Sequence, residues 1–151
     1  MRNMEVNRRR RYGVRGQAAV EFILSLVFVF IVILGALEMI MLVYTYTVLA
    51  DAAKEGVRYA IVHGSNNGSA SGPTCPCAAI DGAAGTGVVK TYARLSLHDT
   101  SAMTVTVSYP DGTNTPPSRV SVQVAYPYQA FFGLGWPTVT VNARAEGRIA
   151  Y

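Results

Sequence analysis

The run from Phe22 to Leu37 constrains this chain more than any other feature: sixteen consecutive residues carry no formal charge, and nearly all are large and apolar. After Glu38 the apolar character resumes, from Met39 to Ala50. A helix needs about 17 to 25 such residues to span a bilayer, and an acid at the headgroup layer is tolerated, so Met39 to Val43 extend the span. At ~1.5 Å per residue, Glu21 and Glu38 stand about 25 Å apart along a helix, close to the ~30 Å of a hydrocarbon core. Each acid then marks one headgroup layer. Two other readings compete with an anchor. A secretory signal peptide shares the basic start and apolar middle, with Ala50-Asp51-Ala52 as a small-residue cleavage site, but its apolar region is normally only about 7 to 15 residues long. A buried core helix would need more protein around it than the remaining chain supplies.

The charges are as unevenly placed as the apolar residues. Of the 151 residues 15% are charged, against about 25% in an ordinary soluble domain. Residues 1 to 16 hold six arginines (Arg2, Arg8, Arg9, Arg10, Arg11, Arg15) and one acid, Glu5, for 6 − 1 = +5, while residues 17 to 151 hold seven cations and eight acids, for 7 − 8 = −1. A nucleic-acid binder needs a basic face on its folded part, and here that part is slightly acidic, so that function is set aside. An arginine cluster just before a span holds that end in the cytoplasm and sends the C-terminus outside.

The helical pattern continues past the span. Asp51, Lys54, Glu55 and Arg58 recur at spacings of three and four, and Leu49, Ala53, Val57 and Ile61 follow the same period on another face. Gly64 is a C-terminal stop. One helix from about Gln17 to His63 is therefore expected to leave the membrane and enter an outer domain.

That domain opens with a Gly-, Ser- and Asn-rich loop, Gly64 to Pro73, in which Asn67-Gly68-Ser69 matches a glycosylation sequon but reads better as a turn. Val88, Val89, Tyr92 and Leu95 fall on one face of a short helix. Three strands follow from period-two alternation: Met103, Val105, Val107 and Tyr109; Val120, Val122, Val124 and Tyr126; then Thr138 to about Ile149, with Val139, Val141, Ala143 and Ala145 on one side. Pro110-Asp111-Gly112 begins the first connection. The fold class is α+β: a long N-terminal transmembrane helix carrying a small antiparallel sheet packed on helix. Its segments are a basic leader (1–16), a spanning and stalk helix (17–63) and an extracytoplasmic head (64–151). The connector Ala130 to Pro137 clusters aromatics among glycines. It reads as a loop folded back over the small core, with an exposed contact patch for a subunit or the membrane as the alternative.

Cys75 and Cys77 flank Pro76, which is neither the spacing of a thioredoxin-like motif nor half of a zinc site with a second pair. A bridge between them would close a very small ring with little gain in loop entropy, and it stands beside free thiols and bridges between subunits as alternatives. His63 and His98 have no acid or second histidine at ligand spacing. There is no nucleophile elbow, phosphate-binding glycine loop or carboxylate pair, so neither an enzyme, a metal nor a cofactor has positive support.

Gly16-Gln17-Ala18-Ala19-Val20-Glu21-Phe22 joins these observations. A basic leader ends in glycine, an uncharged tetrapeptide follows, and one glutamate stands at the fifth position at the start of the apolar run. This resembles the processing site of type IV pilin-like proteins, and the longer stretch resembles the TadE-like family of tight-adherence pilus systems. Asp51 to Ala60 is similar to the Ala-rich, Glu-Gly-x-Arg segment that closes that family's N-terminal region, here Glu55, Gly56 and Arg58. The resemblance covers about Arg15 to His63; the head matches only in general form. It implies cleavage by a prepilin peptidase between Gly16 and Gln17, a single-pass inner-membrane protein with a cytoplasmic N-terminus, and partnership with other pilin and pseudopilin subunits and the inner-membrane assembly platform. A head of about 90 residues, and Phe22 where major pilins usually carry tyrosine, point to a minor subunit that enters the pilus.

Removing the leader would free the amine of Gln17, four residues from Glu21. A carboxylate at that depth is costly unless paired, and the new amine of a neighbouring helix is an available partner. The alternative is that Glu21 only marks the headgroup level. Two functions of other classes stand beside the pilin reading: an unprocessed, membrane-anchored binding module, and a redox protein using Cys75 and Cys77.

Overall fold

No proline occurs before Pro73, so nothing in the first sixty residues removes a helical hydrogen bond or forces a break. The computed structural model describes residues 2–73, 77–82, 87–133 and 137–151, with residues 2–15 and Ala78 described by backbone alone. Its first element, α1, runs Arg2–Val62. Two short helices follow, α2 (Ala78–Asp81) and α3 (Val88–Arg94), then β1 (Thr104–Ser108), β2 (Arg119–Tyr128) and β3 (Val139–Arg148). The α+β reading holds: a long N-terminal apolar helix accompanies a three-stranded antiparallel sheet of order β1-β2-β3.

The chain divides into two compact units, Met1–Ile40 and Met41–Tyr151. In the first unit α1 exposes its apolar side chains from Val20 to Ile33, and the helix that carries them, Gly16–Val62, is long and apolar enough to cross a membrane. Only 6% of its most apolar window is buried, which removes the core-helix alternative.

In the second unit the last third of α1 becomes one wall of a core. Leu49, Ala52, Ala53 and Ala60 have no exposed surface and Val57 has little. These positions recur at three and four, so they form one stripe down the helix. Against it lie Val120, Val122 and Val124 of β2 with Val141 and Ala143 of β3. The signal-peptide alternative fails on this packing. Ala50-Asp51-Ala52 lies inside a helix, and cleavage there would strip Val48 and Leu49 from the core.

The sheet follows the expected alternation. The register aligns Val105 with Val124 and Ala143, and Val107 with Val122 and Ala145, so one face is apolar across all three strands. On the other face Thr106, Gln123 and Arg144 share a row in water, as one-sided antiparallel sheets allow. Ser121 is the exception on that face, buried beneath Arg144, whose Nε donates to its Oγ at 2.8 Å.

One expectation needs correction. The buried stripe of α3 is Val89 and Ala93, whereas Tyr92 is exposed and Leu95 is 81% exposed. The helix ends at Arg94, so Leu95 lies past its last turn, and the small Ala93 permits the close approach that a larger residue would prevent. Gly64 does follow the end of α1, but not through a left-handed conformation, since the glycines with positive φ are Gly72, Gly82, Gly112 and Gly133. It is glycine because a Cβ there would collide with the Tyr151 carbonyl and the Ile149 side chain.

Candidate functional site

Gly16 to Phe22 occupy consecutive positions of α1 in the first unit, and all seven are exposed. Gln17 and Glu21, four apart, share a helix face. A Cβ at Gly16 would meet nothing within 4 Å, so the expected scissile position is sterically open. Phe22, next to Glu21, is 67% exposed and can meet lipid or a neighbouring helix.

Glu55, Gly56 and Arg58 share one turn of α1 in the second unit. Arg58 donates to Glu55 across 3.3 Å, with both side chains open to solvent. Lys54 and Asp51 form the same kind of pair at 2.9 Å. Exposed pairs of this type add only about 0.3–0.5 kcal/mol, so stability alone gives the charges little to do. Gly56 points the other way. A Cβ at this position would stand 2.6 Å from Val89 Cγ2 and 3.3 Å from both Ile80 Cγ2 and Val122 Cγ1, which makes Gly56 the point where α1 meets α2, α3 and β2.

The far end of the head is held by polar contacts that sequence patterning does not reveal. Ser71 is buried; its N–H donates to the His63 carbonyl at 2.7 Å, and its own carbonyl accepts from the Tyr109 hydroxyl at 2.9 Å and from Asn114 Nδ2 at 3.2 Å. These bonds tie the end of α1 to the β1–β2 connection. Asn67 donates from Nδ2 to the Val62 carbonyl and accepts the Ser69 N–H at Oδ1, so the sequon-like triplet caps the helix and makes a turn. His63 stacks on Tyr59 with ring centroids 3.8 Å apart. In the β1–β2 connection the Asp111 carboxylate accepts from the backbone N–H of Arg119 and from its guanidinium, both at 2.8 Å. Those bonds hold the Asp111 carboxyl below the usual aspartate range and raise Arg119. Asp99 is likewise lowered, chiefly by the backbone N–H of Ser101 and then by its hydroxyl.

Among the described residues no three of His, Cys, Asp and Glu gather as metal ligands. Cys75 lies outside the described residues, and with it the expected disulfide. The Cys77 carbonyl accepts the N–H groups of Ile80 and Asp81, which starts α2. Leu134, Gly135 and Trp136 of the aromatic connector also lie outside. Its described part departs from the folded-back reading, because Phe131 is 74% exposed and Phe132 36% exposed, their rings meeting edge to face at 5.2 Å.

The family model described as TadE-like protein matches residues 16–58, beginning at Gly16 and ending at Arg58. No curated protein and no solved structure matches the chain. TadE-like proteins are pilus components rather than enzymes. Along the α1 segment that runs from Gly16 to Arg58, less than half of its length, the chain is similar to the TadE-like family of pilus components.

Proposed function

We propose that the protein is a minor pilin, or pseudopilin, of a tight-adherence pilus, cut by a prepilin peptidase between Gly16 and Gln17. The observation that carries this reading is the family match beginning at Gly16, with Glu21 five positions on at the start of the apolar run. Before cleavage the +5 leader holds the N-terminus in the cytoplasm, α1 spans the inner membrane and the head lies outside. Cleavage removes that leader and creates an amine at Gln17. The amine of one subunit then pairs with Glu21 of the next, a partnership favoured in hydrocarbon because neither charge is tolerated there alone. The other pilin and pseudopilin subunits and the inner-membrane assembly platform are the partners this reading requires. Glu55 and Arg58, exposed on the stalk beyond the membrane, are available to contact them.

Mass spectrometry of protein purified from its own membrane tests the proposal. A mature chain beginning at Gln17 is expected, and Gly16→Leu should leave the chain full length. Because the Gly16 position is open, that substitution blocks cleavage without crowding the fold. A wild-type mature protein that keeps Arg2 to Arg15 overturns the reading and returns the chain to an unprocessed, membrane-anchored binding module.

A further inference from the structure

Of the six asparagines in the chain, Asn67 alone is followed by glycine. A glycine leaves its own backbone nitrogen unshielded, and a Cβ at Gly68 would meet nothing within 4 Å, so the space beside that nitrogen is open. The Gly68 N–H makes no hydrogen bond among the described residues. Its neighbours on both sides do: the Asn67 N–H donates to the Gly64 carbonyl at 3.0 Å, and the Ser69 N–H donates to Asn67 Oδ1 at 2.9 Å. The second bond polarises the side-chain carbonyl of Asn67, as a donor in an oxyanion hole does. An uncommitted nitrogen and a polarised amide carbon thus stand next to each other in a turn whose Gly68 and Ser69 are exposed. Asp111-Gly112 in the β1–β2 connection is the contrast. There the glycine N–H already donates to the Tyr109 carbonyl at 3.0 Å, and Arg119 keeps the carboxylate ionised and therefore a poor electrophile.

We propose that Asn67-Gly68 is a self-modification site, at which the Gly68 nitrogen attacks Asn67 Cγ and the asparagine becomes a carboxylate. The N–Cγ bond forms, the Cγ–Nδ2 bond breaks, and the proton from the Gly68 nitrogen leaves on Nδ2 as ammonia, which closes a five-membered succinimide. One water then opens the ring. Attack at Cγ restores the normal backbone with an aspartyl side chain, and attack at the main-chain carbonyl carbon leaves the backbone running through Cγ as an isoaspartyl residue. The consequence falls on the end of α1. Asn67 Nδ2 donates at 2.8 Å to the carbonyl of Val62, the last residue of that helix. Either product lacks this donor and sets a negative charge beside carbonyls that already form the negative end of the helix dipole. The next carbonyl, that of His63, holds Ser71, through which the loop is bound to Tyr109 and Asn114. The reaction therefore loosens the joint between α1 and the β1–β2 connection. It needs neither the membrane span nor cleavage at Gly16, so it goes beyond the pilin reading and can fail independently of it.

The test is incubation of the folded full-length chain in detergent at mildly alkaline pH in heavy-oxygen water, followed by tryptic digestion and fragmentation of the peptide 59–90 by mass spectrometry. Position 67 should gain the asparagine-to-aspartate mass shift with one heavy oxygen, as separable aspartyl and isoaspartyl forms, while Asn66, Asn114 and Asn142 stay intact. The rate should rise with pH, because the attacking nitrogen must lose its proton. Gly68→Ala fills open space, so it should keep the fold and lose most of the shift over the same incubation. Asn67→Asp, a uniform form of one product, should unfold at a lower temperature than wild type. A folded chain that keeps Asn67 intact while the same chain in guanidinium chloride converts overturns the proposal, because the turn would then shield the amide rather than present it. Equal conversion of Gly68→Ala and wild type overturns the role of the unshielded nitrogen. Equal melting of Asn67→Asp and wild type overturns the effect on α1.

Discussion

Gly56 of α1 faces Val89 of α3 so closely that a methyl group on its Cα would stand 2.6 Å from the valine Cγ2, with Ile80 and Val122 at 3.3 Å. The glycine of the Glu-Gly-x-Arg segment is thus one of the contacts through which stalk and head pack. Gly56→Ala gains about 1 kcal/mol of helix propensity but overpacks a site walled by branched side chains, at a typical cost of ~1–3 kcal/mol. The second effect wins, and Gly56→Val exceeds Gly56→Ala. Thermal unfolding of the full chain in detergent should show both, whereas Gly68→Ala, with nothing within 4 Å of its Cβ, should leave the midpoint nearly unchanged. Equal midpoints for Gly56→Val and wild type would refute the packing role.

The sequence made the long helix and the sheet legible because both rest on periodicity. Val105, Val122, Val124 and Ala143 alternate with polar neighbours, and Leu49, Ala53 and Val57 repeat at helical spacing; a single buried face dictates each pattern. What depends on contact between distant residues was not legible. Gly56 looks like a weak point in a helix until Val89 is placed against it, and Gly147 is required by Val57 and Ile61 from α1. Ser71 carries no signal in its local sequence, since its partners His63, Tyr109 and Asn114 are brought to it by folding. The misassigned face of α3 has a related cause: a helix of two turns is too short for Tyr92 and Leu95 to be distinguished from core by spacing alone. At the N-terminus, spacing singles out Gly16 and Glu21, but the roles proposed for them depend on partners outside the chain.

The bond set between Asp111 and Arg119 predicts an acid-side dependence of stability. The folded carboxyl is held below the unfolded value of 3.8, first by the Arg119 guanidinium and then by its backbone N–H, with Arg148 adding attraction. Its contribution is therefore complete above pH 3.8 and is lost as pH falls through the lower folded value. Asp111→Asn should flatten this part of the profile of melting temperature against pH. Because the side chains are 37% and 47% exposed, added salt should narrow the difference between mutant and wild type. Identical acid limbs in the two proteins would show that the pair does not couple to folding.

At the far end of the head, Tyr109→Phe removes the 2.9 Å bond from the hydroxyl to the Ser71 carbonyl. Asn114 still donates to that carbonyl, so the loss should stay near the ~0.5–1.5 kcal/mol of a single hydrogen bond. Gly72→Ala should cost more. Gly72 has φ 71°, and a Cβ there would overlap the Tyr109 ring, so backbone strain and collision act together. Chemical denaturation should rank the variants in that order; the reverse order would mean the loop yields without disturbing Tyr109.

Glu21 separates assembly from anchoring. Glu21→Ala should still be inserted and cut, because loss of a charge makes the start of the span more apolar and leaves the Gly16 position untouched. If the carboxylate pairs with the Gln17 amine of an adjacent processed subunit, the variant should nevertheless fail to enter the fibre. The neighbour's amine would then lie at hydrocarbon depth without a counter-charge, and breaking such a buried pair costs about 3–5 kcal/mol. At ~1.4 kcal/mol per tenfold, that is a loss of about two to three and a half powers of ten in association. Glu21→Gln distinguishes charge from shape: it keeps the volume and a hydrogen-bonding tip, so a defect as deep as that of Glu21→Ala identifies the charge as the requirement. Co-purification with the fibre and its other minor subunits, read beside an N-terminal cleavage assay, provides both measurements. Normal incorporation of Glu21→Ala would show that the glutamate only marks the headgroup layer and that apolar contacts, with Phe22 among them, drive the helices together.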